Sequence, residues 1–185
     1  APERPVLVSG TPVLISEIVS HSSHSFEDSD GDRSDWVELF NYGLEPVDLA
    51  GLSLTDDEDE LTKWTFPEQT LEPGAFLTVF ASGKDRKEAG GELHTNFKLD
   101  GDGEVLALVH ADDKTAIHTF GPVFPEIPKG QSYGYEFSDD GTVTEVVRMF
   151  KTPTPGQANA DEAEAPLESD EAEASSGEPE MAPEN

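Results

Sequence analysis

A chain of 185 residues with 40 acidic against 11 basic side chains has room for one domain of roughly 100–150 residues plus an appendage, and its net charge of −29 repels nucleic-acid phosphates and anionic lipid. The absence of cysteine removes disulfides, thiolate zinc sites and thiol nucleophiles together. No run approaches the roughly 18–20 apolar residues of a membrane span, and Ala1-Pro2-Glu3-Arg4-Pro5 does not read as a signal peptide, so neither membrane insertion nor nucleic-acid binding is expected, whereas divalent cations and basic surfaces suit the charge.

Residues 1–10 read as an N-terminal extension. From Thr11 to Phe150 short apolar runs are cut by turn residues with no sustained helical period. Val13-Leu14-Ile15-Ser16-Glu17-Ile18-Val19 predicts a first strand and Trp36-Val37-Glu38-Leu39-Phe40 a second; shorter ones follow at 46–49, 52–55 and 63–66, then Phe76-Leu77-Thr78-Val79-Phe80. Val105-Leu106-Ala107-Leu108-Val109 is almost continuously apolar, which predicts a strand covered on both faces. Further strands are predicted at 116–120, 131–137 and 142–148, and residues 85–89 are the one place where a short helix fits. Gly51, Pro73-Gly74, Asp100-Gly101-Asp102-Gly103 and Asp139-Asp140-Gly141 supply the reversals, the third read as a hairpin turn. About eight to ten strands at this spacing predict an all-β sandwich or barrel. From about Gln157 the composition collapses to Ala, Glu, Asp, Pro and Ser, with ten acidic side chains between Asp161 and Glu184; one sign of charge and few apolar groups predict a disordered acidic tail over 160–185, serving as a spacer.

Taken in order, Leu14-Ile15-Ser16-Glu17-Ile18, Asp35-Trp36-Val37-Glu38-Leu39-Phe40-Asn41, Val47-Asp48-Leu49-Ala50-Gly51-Leu52, Lys63-Trp64-Thr65-Phe66-Pro67, Ala81-Ser82-Gly83-Lys84, His94-Thr95-Asn96-Phe97-Lys98-Leu99 and Pro153-Thr154-Pro155-Gly156 form a motif series that resembles the lamin tail domain, in the form attached to exported bacterial proteins. The match spans 11–159. The resemblance implies an immunoglobulin-like β-sandwich acting as a monomeric, non-catalytic binding or scaffolding module, extracellular or at the cell surface, with a protein or glycan partner.

Two strands carry a carboxylate where an apolar residue would fit, Glu17 and Glu38. Burying an unpaired carboxylate costs several kcal/mol, so each must face outward, be paired, or bind a cation. Glu27-Asp28-Ser29-Asp30-Gly31-Asp32-Arg33-Ser34-Asp35 alternates carboxylates around a glycine turn, a pattern that can wrap oxygens about a structural calcium ion. Its expected ligands are Asp28, Asp30, Asp32 and Asp35, with Glu38 and Asp56 completing the shell and Glu17 and Asp57 as further donors; the spacing departs from an EF-hand, and the plain alternative is an acidic surface loop. Gly130-Gln131-Ser132-Tyr133-Gly134 has the serine-hydrolase spacing but reads as an antiparallel strand with Tyr133 and Tyr135 on one face. His21 and His24 share no obvious third zinc ligand, His94 reads as part of a buried hydrogen-bonded turn, and Lys84 and Arg86 as local charge relief. Trp36 and Trp64 read as apolar anchors, and Phe26, Phe124 and Tyr135 as exposed aromatic contacts. The alternatives kept open are a calcium-dependent carbohydrate-binding module, which needs an aromatic row beside the acidic loop, and a metal-assisted hydrolase, which needs two clustered cations beside a cleft.

Overall fold

A computed structural model describes residues 10–22 and 26–161. The predicted extension at 1–10 (except Gly10), His24, and the tail from residue 162 onward lie outside the described residues.

The described chain is all-β. Twelve strands run in order: β1 (Val13–Val19), β2 (Asp35–Asn41), β3 (Val47–Asp48), β4 (Leu52–Thr55), β5 (Trp64–Thr65), β6 (Thr70–Leu71), β7 (Phe76–Ala81), β8 (Leu93–His94), β9 (Leu106–His110), β10 (Ala116–Phe120), β11 (Ser132–Phe137) and β12 (Val143–Phe150). They form a six-stranded sheet β12-β11-β1-β2-β7-β8, a four-stranded sheet β10-β9-β4-β5 and the small pair β3-β6. The architecture is an immunoglobulin-like β-sandwich, with one core shared between the two larger sheets. Among the described residues no helix is long and apolar enough to cross a membrane.

Registers assign the faces. Ile15 pairs with Leu39 and Leu39 with Leu77; Ile18 pairs with Val37 and Tyr133, and Val37 with Val79, so these side chains share one face. That face meets the second sheet: Tyr133 packs against Phe120, and Tyr135 hydroxyl lies 2.8 Å from His118 Nε2. A register shift between Ile15 and Glu17 makes Ser16 the extra residue of a bulge. His118 Nδ1 accepts the Ile15 N–H at 3.3 Å across the sandwich, and burial holds the ring neutral by lowering its pKa to about 4.

The other face of the large sheet carries three rows: Leu14-Phe40-Phe76, Glu17-Glu38-Thr78 and Val19-Trp36-Phe80. A sheet face normally left wet is here covered, since every residue of β1 is buried. Residues 151–161 run over the middle row as a strap, and Phe26 closes the third row, stacked 5.1 Å from Phe80 and edge-on to Trp36.

Several expectations are corrected. Residues 85–89 form no helix: Gly83 and Asp85 take φ of 76° and 50°, incompatible with one, and Arg86 exchanges backbone hydrogen bonds with His94. The Asp100–Gly103 turn is no hairpin, because β8 and β9 lie in different sheets; Gly103, at φ 94°, leaves room for the Phe124 carbonyl, 2.1 Å from where a Cβ would stand. Phe124 and Tyr135 are buried at 1% and 2% exposure rather than exposed contacts. Near the end of the described residues, Asn159 is buried and Asp161 ties Arg148 at 2.8 Å to the Lys151 amide at 2.9 Å. Pairings too short for the pattern to register, β6 and β8, complete the twelve.

Candidate functional site

Three polar constellations stand out. The first is the loop before β2. The Asp28 side chain is fully buried, and its Oδ1 accepts the amides of Asp30 at 3.0 Å and Asp32 at 2.9 Å, winding the loop around it. Oxygens of Asp28, Asp30 and Asp32 gather within 4.8 Å of one another, and the Lys84 ammonium sits among them, touching Asp28 and lying 2.8 Å from Asp30 and 2.9 Å from Asp32. Burial pushes the Asp28 carboxyl up, but Lys84 and the two loop amides outweigh it and hold it below the usual carboxylate range. Arg86 and Lys84 hold Asp30 down to about 2. Asp28 also belongs to a mixed group with Glu92 and His94. His94 is buried and stacked on Phe80, with Nδ1 2.9 Å from Ser82 Oγ and Nε2 2.8 Å from Glu92, which itself accepts the Ser29 amide and hydroxyl.

The structure therefore assembles three of the six expected calcium ligands and disperses the others. Asp35 accepts the Ser22 amide at 2.9 Å, Glu38 lies under the strap, and Asp56 pairs with Lys63 at 2.7 Å. Glu92 was passed over by the sequence reading; its signal was the i, i+2 spacing to His94, which places both side chains on one side of an extended segment. Phe26 packs into the Trp36-Phe80 cluster and Trp36 and Trp64 are buried, so the described residues set no row of exposed rings beside this loop.

The second constellation is the pair Glu17 and Glu38, cross-strand partners and both fully buried. Glu38 Oε1 accepts the Ser16 hydroxyl at 2.9 Å and Oε2 the Gly156 amide at 2.5 Å; Glu17 accepts the Thr154 amide at 3.1 Å and the Thr154 hydroxyl at 3.3 Å. Burial dominates both and raises Glu17 to about 7 and Glu38 to about 8, the latter raised further by the charge of Glu17. Of the three alternatives open to these carboxyls, pairing is what the strap supplies. Ser132 lies on this face with a buried hydroxyl that acts on Glu17, holding its pKa down against burial, and it stands inside an antiparallel strand; the strand-to-helix elbow that a nucleophilic serine needs is not formed there.

The third is the acidic end of the sandwich, where the turn at 56–60 meets the turn at 100–104. Glu104 is raised first by burial and then by neighbouring Asp56 and Asp100, so negative charge there is only partly relieved, by Lys63. Separately, a cavity of about 420 Å³ opens beside Phe40, Tyr42, Tyr135 and Val143, at the end of β2 remote from the Asp28 loop.

A family model described as Lamin Tail Domain matches residues 9–123. No curated protein matches the chain.

Proposed function

The chain belongs to the lamin tail domain family, a family of non-enzymatic immunoglobulin-like domains that often serve protein interaction, and on that premise we propose that it is a non-catalytic protein-binding module whose acidic end receives a basic partner surface. The observation that carries this reading is the convergence of the 56–60 and 100–104 turns, where Glu104, raised chiefly by burial, is raised further by the charges of Asp56 and Asp100. A rigid sandwich holds both turns in place, so a cationic partner gains the attraction without the cost of ordering them. Titrating an oligolysine peptide into isotope-labelled protein is expected to shift amide signals mainly at 56–60 and 100–104, with the effect fading as salt shortens the Debye length. Shifts spread evenly over the surface, or none, would overturn the assignment.

A second reading is favoured by the loop geometry: Asp28, Asp30 and Asp32 hold a structural calcium ion in place of the Lys84 ammonium. Three converging carboxylates supply part of the six to eight oxygens calcium takes, with water and loop carbonyls left to complete them. Because Lys84 competes for the same oxygens, Lys84→Met is expected to bind calcium more tightly than the wild type, and the thermal midpoint should rise with added Ca²⁺ relative to chelator in both proteins, more in the variant. Midpoints indifferent to calcium in both would exclude the ion. The two-cation hydrolase needs a cleft beside the Asp28 loop, whereas the cavity beside Phe40 and Tyr42 lies at the other end of β2, and the glycan module needs a row of exposed rings, which the described residues do not set beside that loop.

A further inference from the structure

Strap residues 151–161 follow β12, to which Asp161 ties back through Arg148, and their other fastenings are hydrogen bonds donated to acceptors of β1, β2 and β11. Thr154 and Gly156 amides reach Glu17 and Glu38, and Asn159 Nδ2 donates to the Ser16 and Tyr135 carbonyls at 2.9 Å each. Gly134 has no Cβ to obstruct this approach, since one would stand 2.6 Å from Asn159 Nδ2. Three motifs far apart in sequence, Ser16-Glu17-Ile18, Trp36-Val37-Glu38-Leu39 and Pro153-Thr154-Pro155-Gly156, thus meet at one place.

The strap and the carboxyls depend on each other. With the strap in place, Glu17 and Glu38 are out of water and side by side, a setting that two negative charges tolerate poorly. With the strap lifted, both would face solvent and ionise as ordinary glutamates. We propose that residues 151–161 are a detachable latch, held on the sheet while the Glu17–Glu38 pair retains protons and loosened when both carboxyls ionise. Facing the pair from β7 is Thr78, from β11 Ser132 and Gly134, from the strap Thr154, Gly156 and Asn159, and none of these titrates near neutrality. The charged groups of the strap's flanks, Arg148 with Asp161 and Lys151, lie at its ends, and no cation stands among the main influences on either carboxyl. Lifting the latch uncovers a polar band between two apolar rows.

Amide hydrogen exchange on the full chain, expressed as protection factors at several pH values, tests this. Thr154 and Gly156 are expected to be less protected than Val37 and Leu39 at every pH, because the strap opens without global unfolding. Their protection should fall at least about tenfold between pH 5.5 and 8.5, and Glu38→Gln, which keeps the shape without the charge, should remove most of that fall. Strap amides as protected as Val37 and Leu39 throughout, or a pH dependence unchanged in Glu38→Gln, would overturn the latch. Should the variant not fold, side-chain carboxyl titration of the wild type by NMR decides: midpoints near neutrality support the latch, and ordinary midpoints near 4.5 overturn it.

Discussion

Gly134→Ala is expected to destabilise the domain by about 3 kcal/mol, at the upper end of what overpacking ordinarily costs. An added Cβ would stand 2.3 Å from the Ser16 carbonyl oxygen, 2.6 Å from Asn159 Nδ2 and 3.0 Å from Glu17 Cα. Two of these neighbours are backbone atoms of the bulged stretch of β1, so relief requires β1 and β11 to part at the Glu17–Gly134 pairing, and the third is the side chain that pins the strap. Substitution at Ser132, two residues away on the same face, makes the contrast: Ser132→Ala adds no atom and removes only a hydroxyl that acts on Glu17, so its cost should stay near about 1 kcal/mol. Urea unfolding midpoints of the two variants check the pair, and a Gly134→Ala midpoint equal to the wild type would mean that strap and sheet do not meet as described. The result also bears on the Gly130-Gln131-Ser132-Tyr133-Gly134 sequence, whose second glycine makes room for backbone here instead of shaping a nucleophile elbow.

The fold was legible where alternation and β-branched or aromatic runs extend over four or more residues. The segments at 52–55 and 116–120 match their strands end to end, and the almost continuously apolar stretch at 105–109 is a strand buried on both faces, displaced by one residue. Pairings of two residues, such as β6 and β8, leave no periodicity to detect, since their order comes from neighbours distant in sequence. The candidate loop was legible in part. Asp28, Asp30 and Asp32 cluster because a short Asx-turned loop fixes them locally, whereas Asp35, Glu38 and Asp56 were assigned by type alone and the pairing of strands sends each to a different partner. Aromatic exposure failed for a related reason: nothing local says that Phe124, its amide bonded to the Glu104 carbonyl, joins the core or that the Tyr135 hydroxyl meets His118. What the sequence did pose correctly was the puzzle of Glu17 and Glu38, whose answer lay more than a hundred residues downstream.

Stability should fall, not rise, as the solution is made alkaline. Glu17 and Glu38 have folded pKa values raised to about 7 and about 8 from 4.5, so between these limits the folded chain holds protons that the unfolded chain has given up. Their contribution is complete below about pH 4.5 and is lost as pH rises through 7 and 8. His118 works the other way, because its pKa is lowered to about 4: from roughly pH 6.5 downward the unfolded state takes up a proton that the buried ring refuses. One histidine against two carboxyls leaves the net slope downward with rising pH. Below pH 4 the order reverses, since Asp28 and Asp30 are held low by their cations, and protonating them discards the ion pairs with Lys84 and Arg86. The expected profile is a maximum near pH 5 and a loss of about 2–4 kcal/mol by pH 8.5, measured as unfolding free energy from urea titrations at constant ionic strength. Glu38→Gln should flatten the alkaline limb and leave the acid limb in place, because the carboxyls held low, Asp28 and Asp30 in the loop and Glu92, Asp113, Asp140 and Asp161 elsewhere, are not among the groups that act on Glu38. A wild-type profile that is flat or rising between pH 5.5 and 8.5 would show that the two carboxyls are ionised in the folded protein, and that the strap is held by charge instead of by protonated, neutral acids.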